Sequence, residues 1–275
     1  MLHDLLPVTR PELFPAQSHQ HFGRWLEQAI ALDGIICVTR TVSEELRAWL
    51  RQERPARAET LAIDYSHHGA DLSGAAPSRG LPENAAELLA ELAARPTVLM
   101  VGTLEPRKGY IQALAAFTQL WQKGAEINLV IVGGEGWKDL PDEQRRDIPE
   151  LMRQLQQHPQ LGQRLFWLNG VSDEFLERIY ATANGLLAAS LDEGFGLPLI
   201  EAAQKGLPIL ARDIPVFREV AGEHACFFRA NQPIELAEAI EAWQRSDFNP
   251  PSSSMPWLTW QQSAGNLQRI MLGRE

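Results

Sequence analysis

The sequence has little cysteine and no long apolar run. Its two cysteines, Cys37 and Cys226, lie in the apolar segments GIICV and HACFF, so we expect buried, reduced thiols rather than a disulfide framework. No apolar run approaches the length that spans a bilayer, and Met1 is followed by LHDLLP rather than by a basic stretch and a long apolar core. The sequence therefore shows no signal peptide or membrane anchor, and we expect a cytoplasmic protein.

The chain also has fewer basic than acidic residues. The chain has 35 Asp and Glu against 25 Lys and Arg, for a formal net charge of -10. It has no broad positive field that would hold a nucleic-acid backbone, so nucleic acid is not an expected partner. An anionic ligand can bind only where a few cations and backbone N–H groups are concentrated against this background.

From Thr97 onward the sequence alternates short apolar runs with segments of helical periodicity. The runs are TVLMV, INLVIV, LFWL, GLLAA, PILA and ACFF. Strands that alternate with helices predict βαβ units and a parallel sheet covered on both faces. The predicted fold class is therefore α/β.

A segment rich in glycine, serine and proline divides the chain. The residues before it contain one clear strand at GIICV, a helix and a short strand at LAID, which is little for an independent α/β domain. We predict a remnant of an N-terminal domain over 1–68, a linker with a leading helix over 69–96 and a ligand-binding domain over 97–256. A last helix over 257–275 is expected to pack back toward the N-terminal part.

The segment LLAASLDEGFGLPLIEAAQKG predicts a strand, a glycine turn and a helix that starts at Pro198. Open α/β sheets bind ligands at the carboxyl ends of their strands, and free N–H groups at a helix start suit a phosphate. Glu193 and Glu201 flank this turn, and carboxylates accept hydrogen bonds from the hydroxyls of a sugar or a ribose. Alternatively, Glu201 only complements the helix dipole and Glu193 is a solvated turn residue.

Two further turns follow apolar strands. In TVLMVGTLEPRKG, Arg107 and Lys108 precede a helix, and they reach the same anion if the two strands are neighbours; the alternative is a solvated basic pair. In VIVGGEGW, Asp139 stands where a dinucleotide fingerprint needs its third glycine, and the turn follows the second strand of the sheet. We therefore expect this turn, with Gly133, to be a close backbone approach to a nucleotide or simply a tight turn.

With these motifs the sequence resembles the GT-B glycosyltransferases of the family 4 type, a retaining group that includes many polysaccharide and lipopolysaccharide mannosyltransferases. Glu193 and Glu201 match its E-x7-E pattern within EGFGLPLIEA. Gly102, Arg107 and Lys108 match its diphosphate loop, and the resemblance covers 97–256. It implies a Rossmann-like donor domain with a parallel sheet plus a partial N-terminal acceptor domain.

The resemblance also implies a role for each matching position. Glu193 and the backbone of 194–197 would hold the donor sugar, Glu201 the ribose, Arg107 and Lys108 the diphosphate, and 169–171 would lie near the base. The expected catalytic residues are Arg107, Lys108, Glu193 and His3, and the expected donor-binding residues are Gly102, Thr103, Gly133, Asn169, Gly170, Val171, Gly194, Phe195, Gly196, Leu197 and Glu201.

Three histidines and one departure from the family pattern also bear on the candidate site. His3 in LHDLLP matches a histidine that such enzymes place close to the transferred sugar; the alternative is a poorly ordered terminal residue. His67 and His68 are expected to be structural or exposed. Many members have arginine where Thr103 stands, so more of the diphosphate charge is expected to fall on Arg107.

The implied reaction is transfer of a hexose to a hydroxyl of a glycan or lipid-linked acceptor. GDP-mannose is the favoured donor, and a UDP-sugar is the alternative. No D-x-D pair and no Cys or carboxylate cluster at ligand spacing occurs, so neither a metal nor a cofactor is expected. Two other functions stay open: a catalytically silent nucleotide-sugar-binding module that needs a partner chain or further N-terminal domain, and a phosphorylase of the same fold. Peripheral association with the inner membrane surface also stays open.

Overall fold

The computed structural model describes residues 1–71, 78–246 and 248–273. The predicted linker includes 72–77, which lie outside the described residues. The strands are β1 (Gly34–Cys37), β2 (Ala62–Tyr65), β3 (Thr97–Val101), β4 (Asn128–Val132), β5 (Leu165–Leu168), β6 (Gly185–Ala188), β7 (Ile209–Arg212) and β8 (Cys226–Phe228). The helices are α1 (Leu6–Thr9), α2 (Ala16–Ala29), α3 (Arg40–Glu53), α4 (Pro55–Ala58), α5 (Ala85–Ala93), α6 (Tyr110–Gln122), α7 (Ile148–Gln157), α8 (Asp173–Thr182), α9 (Leu197–Gln204), α10 (Pro215–Ala221), α11 (Pro233–Arg245) and α12 (Trp260–Met271).

The main sheet consists of the six strands predicted after Thr97. All its pairings are parallel, in the order β5-β4-β3-β6-β7-β8. Neighbouring residues of one strand enter different cores: Val98 joins one hydrophobic cluster and Leu99 the other. The strands read as continuous apolar runs because helices cover both faces of a parallel sheet. The prediction of an α/β fold is confirmed.

The strand order places a topological switch point between β3 and β6. The chain runs from β3 outward through β4 to β5, and then returns to lay β6 against the other side of β3. Loops that follow the two central strands therefore leave in opposite directions. The crevice between them is the usual ligand site of an open α/β sheet.

The N-terminal part contains a two-stranded parallel sheet, β1 with β2. Leu2 extends it, because its N–H donates to the Ile36 carbonyl at 2.8 Å and its own carbonyl accepts from Val38 at 3.0 Å. Cys37 is buried as predicted, whereas Cys226 is only partly buried on the edge strand β8. No described helix is long and apolar enough to cross a membrane.

Glu219 of α10 joins the main sheet domain to the start of α3. Its carboxylate accepts hydrogen bonds from the backbone N–H groups of Arg40 and Thr41 and from the Thr41 hydroxyl, each at 2.7 Å. His67 Nε2 lies 2.8 Å from the same carboxylate. Burial alone would raise the pKa of Glu219, but the bonds from His67 and Thr41 lower that pKa to about 2. The carboxylate therefore complements the N-terminal end of α3.

The helix α12 also crosses to the N-terminal part. The Ser263 hydroxyl donates to the His67 carbonyl at 2.7 Å, and the Ala70 N–H donates to the Leu258 carbonyl at 2.9 Å. Gly69 permits this contact, since a Cβ there would lie 2.3 Å from the Trp260 Cα. The C-terminal helix thus packs against the segment that leaves β2.

We predict that Glu219→Gln lowers the free energy of unfolding by about 1–3 kcal/mol at neutral pH, because an amide N–H₂ would face hydrogen-bond donors. The folded pKa of about 2 lies below the unfolded value. This stabilisation is therefore present above the unfolded pKa, about 4.3, and is lost as pH falls toward 2. Denaturant unfolding across that range measures it, with the exposed Glu238→Gln as the control. A deficit that stays constant down to the folded pKa would contradict the assignment.

Candidate active site

The loop after β3 carries the two candidate cations. It turns at Gly102 and continues as a short 3-10 turn, Pro106–Lys108, before α6 begins. Gly109 then approaches the loop after β6 so closely that a Cβ there would lie 2.4 Å from the Ala189 carbonyl oxygen. The Arg107 carbonyl also accepts from the Leu191 N–H at 2.7 Å. These backbone contacts fix the cations at the switch point.

Glu193 lies at the centre of the site and is only 7% exposed. Arg107 Nη1 lies 2.6 Å from its Oε2, and Lys108 Nζ lies 2.5 Å from its Oε1. The Ser190 hydroxyl donates to Oε1 at 2.9 Å. Burial by itself would raise the pKa of Glu193, but Lys108 and Arg107 hold that pKa below its ordinary value. The structure therefore brings the two sequence motifs together through a buried, ionised carboxylate.

Arg107 is shared with a second carboxylate. Its Nε lies 2.8 Å from Glu105 Oε2, and both side chains are mostly buried. Two cations and two carboxylates thus form one compact cluster with no net charge. A ligand diphosphate can bind here only by taking over part of the charge that Glu105 and Glu193 now neutralise.

The glycine turn after Glu193 contacts the N-terminal part. A Cβ on Gly194 would lie 2.0 Å from the His3 carbonyl oxygen, and the Thr39 hydroxyl donates to the Gly194 carbonyl at 3.1 Å. Gly196 has a φ of +95° and caps α9. The helix begins at Leu197, so the expectation that Pro198 is its first residue was wrong by one position. Both positions tolerate proline because the first N–H groups of a helix have no partner within it.

The structure places His3 beside this turn. Its exposed ring stacks on the His68 ring at a centroid distance of 5.1 Å, and His3 Nδ1 lies 3.3 Å from His68 Nε2. His68 also packs edge-on against Phe195, at 5.2 Å between ring centroids. His3 therefore lies next to Gly194, the residue that follows Glu193.

Glu201 has a partner that sequence reasoning did not find. The Tyr180 hydroxyl of α8 donates to Glu201 Oε2 at 2.8 Å, and burial raises the pKa of Glu201. The bond orients one carboxylate oxygen and leaves Oε1 to accept from a ligand hydroxyl. Nothing local in the sequence marks Tyr180, because the contact exists only once α8 packs beside α9.

The turns after β4 and β5 border the same edge of the sheet. A Cβ on Gly133 would lie 1.9 Å from the Gly102 carbonyl oxygen, so its close approach is to the neighbouring turn of the chain itself. A Cβ on Gly134 would lie 3.1 Å from Asn169 Oδ1. Thr103, Asn169 and Gly170 are exposed, while Val171 is partly buried. Within the described residues, no group of three or more His, Cys, Asp or Glu could hold a metal ion.

The family profile described as "Glycosyl transferases group 1" matches residues 87–252, which contain every predicted catalytic and donor-binding residue except His3. The chain belongs to this family of glycosyltransferases.

Similar proteins come chiefly from the mannosyltransferases of bacterial polysaccharides. The serotype-specific mannosyltransferase WbdA of Escherichia coli is 46% identical over 272 residues, which cover 96% of this chain and 32% of WbdA. The O-antigen chain mannosyltransferase B of the same organism is 28% identical over 225 residues, covering 80% of this chain and 54% of that protein. This chain thus spans about a third of the length of the WbdA relatives it matches.

Solved structures share the fold at low sequence identity. HepE of Anabaena, solved in complex with UDP and glucose, superposes with a TM-score of 0.69 at 18% identity, covering 99% of this chain and 70% of HepE. Sucrose-phosphate synthase of Thermosynechococcus elongatus superposes with a TM-score of 0.64 at 24% identity, covering 88% of this chain and 59% of the synthase. The expected GT-B fold is confirmed.

We predict that Gly109→Ala destabilises the chain more than Gly124→Ala does. Both glycines have a positive φ, which costs an alanine about 1–2 kcal/mol. At Gly124 the new methyl group meets open space, whereas at Gly109 it meets the Ala189 carbonyl, which adds about 1–3 kcal/mol of overpacking. Denaturant unfolding of the two variants measures the difference. Equal losses would show that the two loops do not touch as described.

Proposed function

We propose that this chain binds a nucleotide diphosphate sugar at the switch point between β3 and β6 and transfers its hexose to a hydroxyl of a glycan or glycolipid acceptor. The observation that supports this most is the buried contact of Glu193 with Arg107 and Lys108. In this contact, two cations that can bind an anion lie within hydrogen-bond distance of a carboxylate that can accept from sugar hydroxyls. The family and its polysaccharide relatives point to the same chemistry.

Each group in the cluster has a proposed task. Arg107, Lys108 and the start of α9 bind the diphosphate, as cations and helix N-termini do. Glu193 accepts from hydroxyls of the sugar, and Glu201, oriented by Tyr180, accepts from the ribose. The exposed turn at 169–171 lies near the base.

Catalysis in this proposal is mainly electrostatic. The bond between the sugar anomeric carbon and the diphosphate oxygen breaks and leaves its electron pair on the diphosphate, a bond to the acceptor oxygen forms, and the acceptor hydroxyl passes its proton to an oxygen of the departing diphosphate. Negative charge grows on the departing diphosphate, where Arg107 and Lys108 are already fixed by the Gly109 turn. The sequence offers no D-x-D pair for a metal, so the proposed mechanism needs none. Retention of the donor's α-configuration is proposed from the resemblance to the family 4 type.

Mannose, delivered as GDP-mannose, is the proposed sugar. Its support is the 46% identity to a serotype-specific mannosyltransferase. A UDP-sugar is the alternative donor, and its support is that HepE, which shares the fold, was solved in complex with UDP and glucose. We propose a cytoplasmic reaction, with the acceptor presented at the membrane surface when it is lipid-linked.

The Lys108→Ala variant tests the proposal. Because a buried cation that faces the leaving group is lost, we expect at least a tenfold fall in transfer from GDP-mannose to mannose oligosaccharides. The exposed Lys123→Ala, at the end of α6, is the matched control and should retain full activity. Unchanged turnover in Lys108→Ala would contradict the assignment of the diphosphate site.

The same assay, run with GDP-mannose and UDP-sugars, separates the alternatives. Faster transfer from a UDP-sugar than from GDP-mannose would show that the donor is a UDP-sugar. Donor binding by the wild-type chain without transfer or hydrolysis would favour a binding module. Phosphate-dependent cleavage of a glycoside would favour a phosphorylase.

A further inference from the structure

A second cavity, of about 710 Å³, adjoins the candidate active site. It lies between the segment that follows β2, the helices α9 and α10, and the C-terminal part of the chain around α12. Its volume falls within the range of about 300–1,000 Å³ that is typical of ligand pockets. Of the expected donor-binding residues, Phe195 alone lines it.

The wall of this cavity combines aromatic rings with polar groups. Tyr65, Phe195 and Trp257 supply rings, and the indole of Trp257 is 38% exposed. Asn266 and Arg269 of α12 supply hydrogen-bond donors. A hexose has an apolar C–H face and a rim of hydroxyls, so flat rings beside donors and acceptors suit it.

The charges of the wall argue against a phosphorylated ligand. Asp64 and Glu219 are carboxylates, and Glu219 is already bonded to Thr41 and His67, whereas Arg269 is the cation that lines the cavity. The candidate active site differs, because there two cations contact Glu193. A neutral polyhydroxyl ligand is therefore favoured over a nucleotide or a phospholipid headgroup.

Ser66 adds an independent observation. It belongs to the wall, is only 4% exposed, and its hydroxyl has no hydrogen-bond partner among the residues that the structure describes. Buried hydroxyls without a partner are uncommon in folded proteins, so each one calls for an explanation. This oxygen is closed off from the cavity as the side chain now lies, and a ligand hydroxyl would satisfy it once the Ser66 side chain rotates toward the ligand.

The cavity lies beside the turn that follows Glu193, because Phe195 and His68 belong to its wall. Phe195, which lines it, comes two residues after Glu193 and is packed against His68. The His68 ring also stacks on the His3 ring, and the His3 carbonyl lies against Gly194. A chain of sugars that occupies the cavity would therefore lie beside the turn to which the proposed function assigns the transferred hexose.

We propose that this cavity is an acceptor subsite that binds a neutral stretch of the growing glycan. The inference rests on the proposed function, since it supplies the acceptor side of the same reaction. It predicts that the chain binds an oligosaccharide without any nucleotide present and that longer acceptors gain affinity from the cavity.

Calorimetric titration with α-linked mannotrioses of several linkages tests this inference. We expect one of them to bind the wild-type chain, and Trp257→Ala to weaken that binding at least tenfold because a ring platform is lost. Trp25→Ala is the matched control: Trp25 is 45% exposed and lies on a different face, so its removal should leave mannotriose binding unchanged. Arg269→Ala, also on the cavity wall, is a second variant should Trp257→Ala fold poorly.

Donor affinity, measured in the same variants, separates this inference from the proposed function. Loss of mannotriose binding with unchanged binding of the nucleotide sugar supports the subsite. Mannotriose affinity that survives both substitutions, or a folded wild-type chain that binds no mannotriose, overturns the subsite even if the donor binds. Mannotriose binding without any nucleotide-sugar binding would refute the proposed transferase function and leave the cavity a glycan site.

Discussion

The buried carboxylate of Glu193 is the contact on which the site depends. Removing its charge from water is costly, and the cost is offset only because Arg107, Lys108 and Ser190 all bond to it. The same contact joins the loops that follow β3 and β6. Yet it also neutralises the cations that a diphosphate requires. In the proposed function, donor binding redistributes this charge: the diphosphate takes over the two cations, and the sugar hydroxyls donate to Glu193.

The fold supplies the framework for that exchange. The strand order places the two loops side by side, and the close approach of Gly109 to Ala189 holds them together. From the opposite direction, His3 and Thr39 bring the N-terminal part against Gly194. Glu219 stabilises this contact between the two parts through its hydrogen bonds to the start of α3. The turn that follows Glu193 therefore lies at the junction of the two parts and contacts both of them.

Local sequence patterns predicted the main sheet, and they predicted that the loop with Arg107 and Lys108 lies near the turn with Glu193. Apolar runs located all six strands of the main sheet. The helix α2 was missed because Gly23 lies in its interior, where a glycine weakens the prediction of a helix. Tyr180, Thr39 and Glu219 were missed for another reason. Each contacts a residue distant in the chain, and neither hydrophobic periodicity nor turn-forming residues indicate such a contact. The division into domains and the roles of the site residues stay predictions.

The most direct test of this account is the affinity of Glu193→Gln for a nucleoside diphosphate and for the corresponding nucleotide sugar. Calorimetry should use whichever of GDP, UDP and ADP binds the wild-type chain best. An amide no longer neutralises Arg107 and Lys108, so we predict tighter binding of the nucleoside diphosphate. The added affinity that the sugar provides should fall, because its carboxylate acceptor is lost. Weaker binding of both ligands to the same extent would contradict the divided site.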